Sequence, residues 1–209
     1  SPAGRDHHQR SHGSGMMDLD PNHFVIMGID PGTETLGCAV LGVDLRSLEM
    51  HLYQALTIHA SHSVNDVGVA ALTYGSRFAR LNSLATSVVA QCEVWQPHCI
   101  ISEAPFLGRF PQSFEALVDC LSVIRRAVAE YNPALFLETV DPPSAKKAVG
   151  VNPKGSTKED IRDAILRIPF IRHPGVYIEH LEEHATDAIA VAKYRVDQIR
   201  QQFGLRQRR

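Results

Sequence analysis

The sequence predicts an α/β fold, a mixed five-stranded sheet flanked by helices. Two patterns carry that prediction: three strand-like apolar segments follow one another near the start, and helical stripes then alternate with two further short strands. Phe24 to Ile29, Leu36 to Val43 and Leu48 to Ile58 read as the first three strands, joined by turns at Pro31-Gly32 and Asp44 to Ser47 into a meander. A long helix is expected from Asp66, because Ala71, Tyr74, Phe78, Leu81, Ala85, Val88 and Cys92 step by three and four. Residues 98–103 form the fourth strand, Phe114, Leu117, Leu121, Ile124 and Val128 stripe the next helix, and Leu135 to Val140 is the fifth strand. The stretch from Ser144 reads as a lysine-bearing loop that ends in Ser156-Thr157-Lys158-Glu159. That tetrapeptide has the form of a capping box, and Ile161, Ala164, Ile165 and Ile168 give the helix it opens an apolar face. A last helix runs from Glu182 to about Phe203, with Ala188, Val191 and Tyr194 along one side.

Composition limits the possibilities. A chain of 209 residues with 44% hydrophobic and 21% charged side chains is large enough for one good core, so a single domain over 16–203 is expected. Residues 1–15, with His7-His8 and Gly13-Ser14-Gly15, read as a tag or cloning remnant and are excluded from the fold and from metal binding; 204–209 read as a basic tail. No run approaches the roughly 20 apolar residues that cross a bilayer, so no membrane partner and an intracellular location are expected. Cys38, Cys92, Cys99 and Cys120 show no paired spacing and lie in apolar stretches, the pattern of reduced core residues rather than zinc ligands. The net charge of −2 counts against nucleic-acid binding, but charge is distributed unevenly. Between Ser144 and Arg172 seven Lys or Arg face three acids, a local surplus that suits phosphate contact.

Four segments place chemistry-bearing side chains where secondary structure would hold them. Asp30 ends an apolar strand just before Pro31-Gly32, and Glu103 ends another just before Ala104-Pro105. His184 and Asp187, three apart, project from one face of the last helix. Carboxylates with one imidazole suit hard divalent ions that favour oxygen and keep several waters. Two such ions about 4 Å apart hydrolyse phosphodiesters. Blander readings stand beside each of these. Asp-Pro-Gly is a common turn former; Glu183, four before Asp187, can replace His184 as ligand; Phe106 can be core; and Lys146, Lys147, Lys154 and Lys158 can be a solvated face.

These segments resemble the RuvC-type Holliday junction resolvases, crossover junction endodeoxyribonucleases of the ribonuclease H-like fold, over roughly Phe24 to Arg200. Gly28-Ile29-Asp30-Pro31-Gly32 followed by Leu36-Gly37 is similar to the family's first motif, Glu103 to its second acid, and His184-Ala185-Thr186-Asp187 to its final motif. The resemblance implies that Asp30, Glu103, His184 and Asp187 are catalytic metal ligands and that Phe106 is the aromatic wedge at the junction centre. The basic segment departs from the family's spacing. Lys146 or Lys147 precedes Gly150 and Lys154 and Lys158 follow it, with Lys147 and Lys158 the favoured pair for the scissile phosphate. Arg109 is a further expected DNA contact. Also implied are Mg²⁺, two ions per site with Mn²⁺ as substitute, a homodimer on four-way junction DNA, and paired symmetric nicks leaving 5′-phosphate and 3′-hydroxyl ends. The alternatives are a non-catalytic junction scaffold, a broader branched-DNA nuclease, and an actin-like ATPase, which requires a second such domain.

Overall fold

Strand alternation assembles the molecule. In the computed structural model, which describes residues 17, 19–60, 67–107 and 111–207, β1 (His23–Asp30), β2 (Thr35–Asp44) and β3 (Met50–His59) form the expected antiparallel meander. The segment 1–15 and Arg109 lie outside the described residues. β4 (Cys99–Glu103) joins β1 in parallel, and β5 (Leu137–Val140) joins β4 in parallel. The sheet has six strands rather than five, in the order β5-β4-β1-β2-β3-β6. The added β6 (Ile171–Arg172) is two exposed residues paired with His51 and Leu52, too short for any alternation to announce it.

Helices cover both faces. α1 (Val67–Tyr74) and α2 (Ser76–Trp95) replace the single long helix expected from Asp66; the break falls at Gly75, whose φ of 91° is a conformation open to glycine and costly to other residues. α3 (Pro111–Tyr131) follows β4. α4 (Pro142–Ala148) occupies the stretch expected to be loop. Its start is set by Asp141, whose carboxylate accepts from the Ser144 N–H at 2.9 Å, with proline in the first turn. The capping box of α5 (Lys158–Leu166) is Thr157 with Asp160, one residue later than the Ser156 and Glu159 pair read from sequence. After a 3₁₀ turn at Ile178–His180, α6 (Glu183–Gln207) runs four residues past Phe203.

Successive strand residues point to opposite faces. Val25, Met27 and Ile29 of β1 enter a core with Leu84, Val88 and Trp95 of α2 and Leu121's neighbours Cys120 and Ile124 of α3. Ile26 faces the other way, into a core shared with Ala188, Ile189, Ala192 and Val196 of α6, with Ala145 of α4 and with Val149 that caps it. All four cysteines are free and buried, as expected. Among the described residues no helix is long and apolar enough to cross a membrane.

Candidate metal centre

The same alternation places the acids. Asp30 lies two positions after Gly28 and four after Ile26, so its side chain emerges on the α6 face of β1. Glu103 lies two after Ile101, which packs in that same core, so it too faces α6. β1 and β4 run parallel with Ile29 opposite Ser102, and one further step sets Asp30 beside Glu103 at adjacent carboxyl ends, where open α/β sheets bind ligands.

Glycines then let α6 come down onto the sheet. A Cβ at Gly28 would lie 2.4 Å from the Ala188 carbonyl oxygen and 2.7 Å from the Ala192 Cβ, and one at Gly37 would lie 1.8 Å from the His184 carbonyl oxygen. No real Cβ tolerates such contacts, so bare backbone at both positions is what allows His184 and Asp187 to reach Asp30. The His184 imidazole donates from Nδ1 to Asp30 Oδ2 at 2.6 Å, and Asp30 is only 8% exposed.

Electrostatics shows how closely the acids crowd. Burial, followed by the charges of Asp30 and Asp187, pushes the Glu103 carboxyl up to about 8. Burial, followed by Asp30 and Glu183, pushes Asp187 up to about 7. The hydrogen bond to Asp30 outweighs burial at His184 and raises its pKa, favouring imidazolium. Three inward carboxylates whose repulsion His184 and Lys146 relieve only in part are a poor structural device and a good cation site. Among the described residues no three donors close into a complete ligand set. A hard ion that retains waters and takes one or two carboxylates does not require one, so the donor chemistry fits Mg²⁺ or Mn²⁺.

The basic residues fall at different depths. Lys146 is half-buried, and its positive charge acts on both Glu103 and Asp187. Lys147, next along α4, is exposed and acts on Asp141 at the start of its own helix. Lys158 ion-pairs with Glu183, and Asp187 also acts on it. Glu183, the alternative ligand to His184, is thus engaged by a lysine. Lys154 is exposed, on the rim of a cavity of about 330 Å³ between the 150–156 turn and α5. Phe106 is 67% exposed and Leu107 62%, directly after β4, so neither belongs to the core. Sequence reasoning passed over the close approach at Gly28 and Gly37, although small residues at 28, 37, 188 and 192 were its visible signal.

No family model matches the chain. It is 26% identical over 172 residues to the crossover junction endodeoxyribonuclease RuvC of Chlamydia pneumoniae, covering 80% of this chain and 89% of that protein. Among solved structures, it resembles Thermus thermophilus RuvC in complex with Holliday junction substrate, at a TM-score of 0.60 and 20% identity, over 87% of this chain and 98% of that one. It also resembles the yeast mitochondrial Holliday junction resolvase Ydc2, at a TM-score of 0.58 and 14% identity, over 86% of this chain and 80% of that one. The resemblance to RuvC-type resolvases is thereby borne out, and the fold is ribonuclease H-like.

Proposed function

We propose that this chain is a structure-selective endonuclease that resolves four-way DNA junctions by metal-dependent phosphodiester hydrolysis. The observation that carries the proposal is the convergence of Asp30, Glu103 and Asp187 where β1, β4 and α6 meet. Asp30, Glu103, Asp187 and His184 would hold two Mg²⁺ ions, with Mn²⁺ as substitute. When bound, such ions supply an activated water on one side of the phosphate and charge stabilisation for the departing oxygen on the other. The product ends are then 5′-phosphate and 3′-hydroxyl.

The protein's own contribution is positional. His184 fixes the Asp30 carboxylate through its Nδ1–H. Lys146 of α4 acts on Glu103 and Asp187, and Lys158 in the first turn of α5 is within reach of Glu183 and Asp187, so a backbone phosphate would be attracted there, with Lys147 and Lys154 as outlying contacts. Phe106, exposed just after Glu103's strand, would stack on an unpaired base at the junction centre; Arg109 is proposed as a further contact. A C₂ homodimer sets two such sites on the two-fold-related strands of one junction, so each subunit makes one of the paired nicks.

The test is cleavage of an end-labelled four-way junction beside a linear duplex of the same sequence, in Mg²⁺, in Mn²⁺ and in chelator. Symmetric, metal-dependent nicks confined to the junction support the proposal. Binding without cleavage in every metal indicates a scaffold, and equal cutting of both DNAs indicates a broader nuclease.

A further inference from the structure

α4 brings Lys146 to the acids, yet it is seven residues long, and so short a helix has little stability of its own. Its beginning is tied to Glu103's surroundings: β5 pairs with β4 with Val140 opposite Glu103, and Asp141 then caps the helix. Its end is tied to α6. Lys193 donates from Nζ to the Ala148 carbonyl at 3.4 Å, and both oxygens of the Asp197 carboxylate lie 2.6 Å from the same nitrogen. Lys193 is 7% exposed and is the one Lys or Arg that is buried among the described residues.

Nothing in the packing calls for a charge there. One helical turn away on α6, Ile189, Ala190 and Val196 are buried and apolar, and an apolar side chain of similar length would suit the same face. The ammonium is buried although its partner Asp197 is 41% exposed, and a buried charge is weak evidence of stabilisation, so its retention invites a positional explanation. The carbonyl it takes is at the end of the helix that carries Lys146, where a cation is favoured. Lys193 also stands six residues past Asp187, about 9 Å along the same helix, so one rigid element holds an acid of the site and the clamp on its lysine.

We infer that Lys193, fixed by Asp197, is a positioning residue for the cleavage reaction: it locks the carboxyl end of α4 so that Lys146 stays beside Glu103 and Asp187. The inference rests on the reading of this cluster as a nuclease site in which Lys146 takes part. Lys193 touches neither substrate nor the reacting atoms and acts only through Lys146.

Lys193→Met keeps the length and apolar stem and removes the ammonium. The measurement is a double-mutant cycle with Lys146→Ala, in which single-turnover junction cleavage, junction Kd and Tm are read for each protein. Lys193→Met is expected to slow cleavage about tenfold or more, as misplacement of a group at a reacting centre does, with Kd and Tm close to wild type. Lys146→Ala is expected to slow the wild-type background strongly and the Lys193→Met background little further, the non-additivity of two residues acting as one unit. Lys193→Arg, which can still reach the carbonyl, should recover part of the rate. Asp197→Asn, which releases the ammonium without removing it, should repeat the effect and serves if Lys193→Met folds poorly. The inference is overturned if Lys146→Ala costs the same factor in both backgrounds, or if Lys193→Met cleaves at the wild-type rate. If Lys146→Ala is silent in the wild type, Lys146 has no part in the reaction and the inference falls, while loss of cleavage in Asp30→Asn would still uphold the nuclease reading.

Discussion

Burial and the neighbouring acids raise the Glu103 and Asp187 carboxyls well above the usual carboxylate range. A folded-state value of about 8 for Glu103 against an ordinary 4.5 means that, without metal, the native chain binds a proton that the unfolded chain releases over that interval. The stability this contributes is full below about 4.5 and is lost as pH rises to about 8; Asp187, at about 7 against 3.8, and His184, also raised, act in the same direction. Metal-free protein is therefore expected to melt at lower temperature at pH 8 than at pH 5. Glu103→Gln should flatten that slope and raise Tm at pH 8 by several degrees, equivalent to on the order of 1–3 kcal/mol. Thermal scans across pH in chelator check this, and a Tm that rises over the same range would contradict it. Mg²⁺ should restore Tm at pH 8 in the wild type more than in the variant. The positions of Asp30, Glu103 and Asp187 were legible in combination: each alone has a structural use, such as the turn at Asp30-Pro31-Gly32, but two strand-end acids with a third at helical spacing from a histidine point to one cluster. The choice between Lys146 and Lys147 was not. It depends on a helix the pattern did not reveal, and one residue turns a helical side chain through about 100°.

On the scale of elements, the site exists because α6 lies almost in contact with β1 and β2. Gly37→Ala must displace His184 by the van der Waals width of a methyl group, and Gly28→Ala must displace Ala188 and Ala192. Each is expected to destabilise the fold by about 1–3 kcal/mol, as overpacking does, and to lower cleavage by more than that loss explains, since the helix that moves carries two of the four proposed ligands. Parallel measurement of chemical denaturation and single-turnover rate tests the point; a stability loss with an unchanged rate would separate α6 placement from catalysis. Thr157→Ala should cost about 1 kcal/mol through loss of the α5 cap. The strands and long helices could be read because their stripes are continuous. α4 was missed, although Asp141-Pro142-Pro143 is a helix-start signal, because lysines and the following glycine suggested a loop. β6 was missed because two residues have no period, and the break at Gly75 because an apolar stripe on either side masks one glycine.

At the scale of the whole molecule, the chain's near-neutral charge conceals a polarised surface. Basic residues are concentrated between 146 and 172, Lys146 and Lys158 of that stretch act on the acid cluster, and exposed Phe106 and Leu107 follow the end of β4. Phe106→Ala should therefore lower junction cleavage several-fold with a folding stability within about 0.5 kcal/mol of wild type, as for an ordinary surface substitution. A large fall in Tm with normal cutting would assign Phe106 to packing. The central claim is that one surface binds the junction while a separate carboxylate cluster cuts it. The most direct measurement follows binding and cleavage of a labelled four-way junction in the same reactions, for wild type and Asp30→Asn, with Mg²⁺ present. Asp30→Asn is expected to bind the junction with wild-type affinity and to make no nicks. Wild-type nicking by Asp30→Asn, or loss of binding together with cutting, would contradict it.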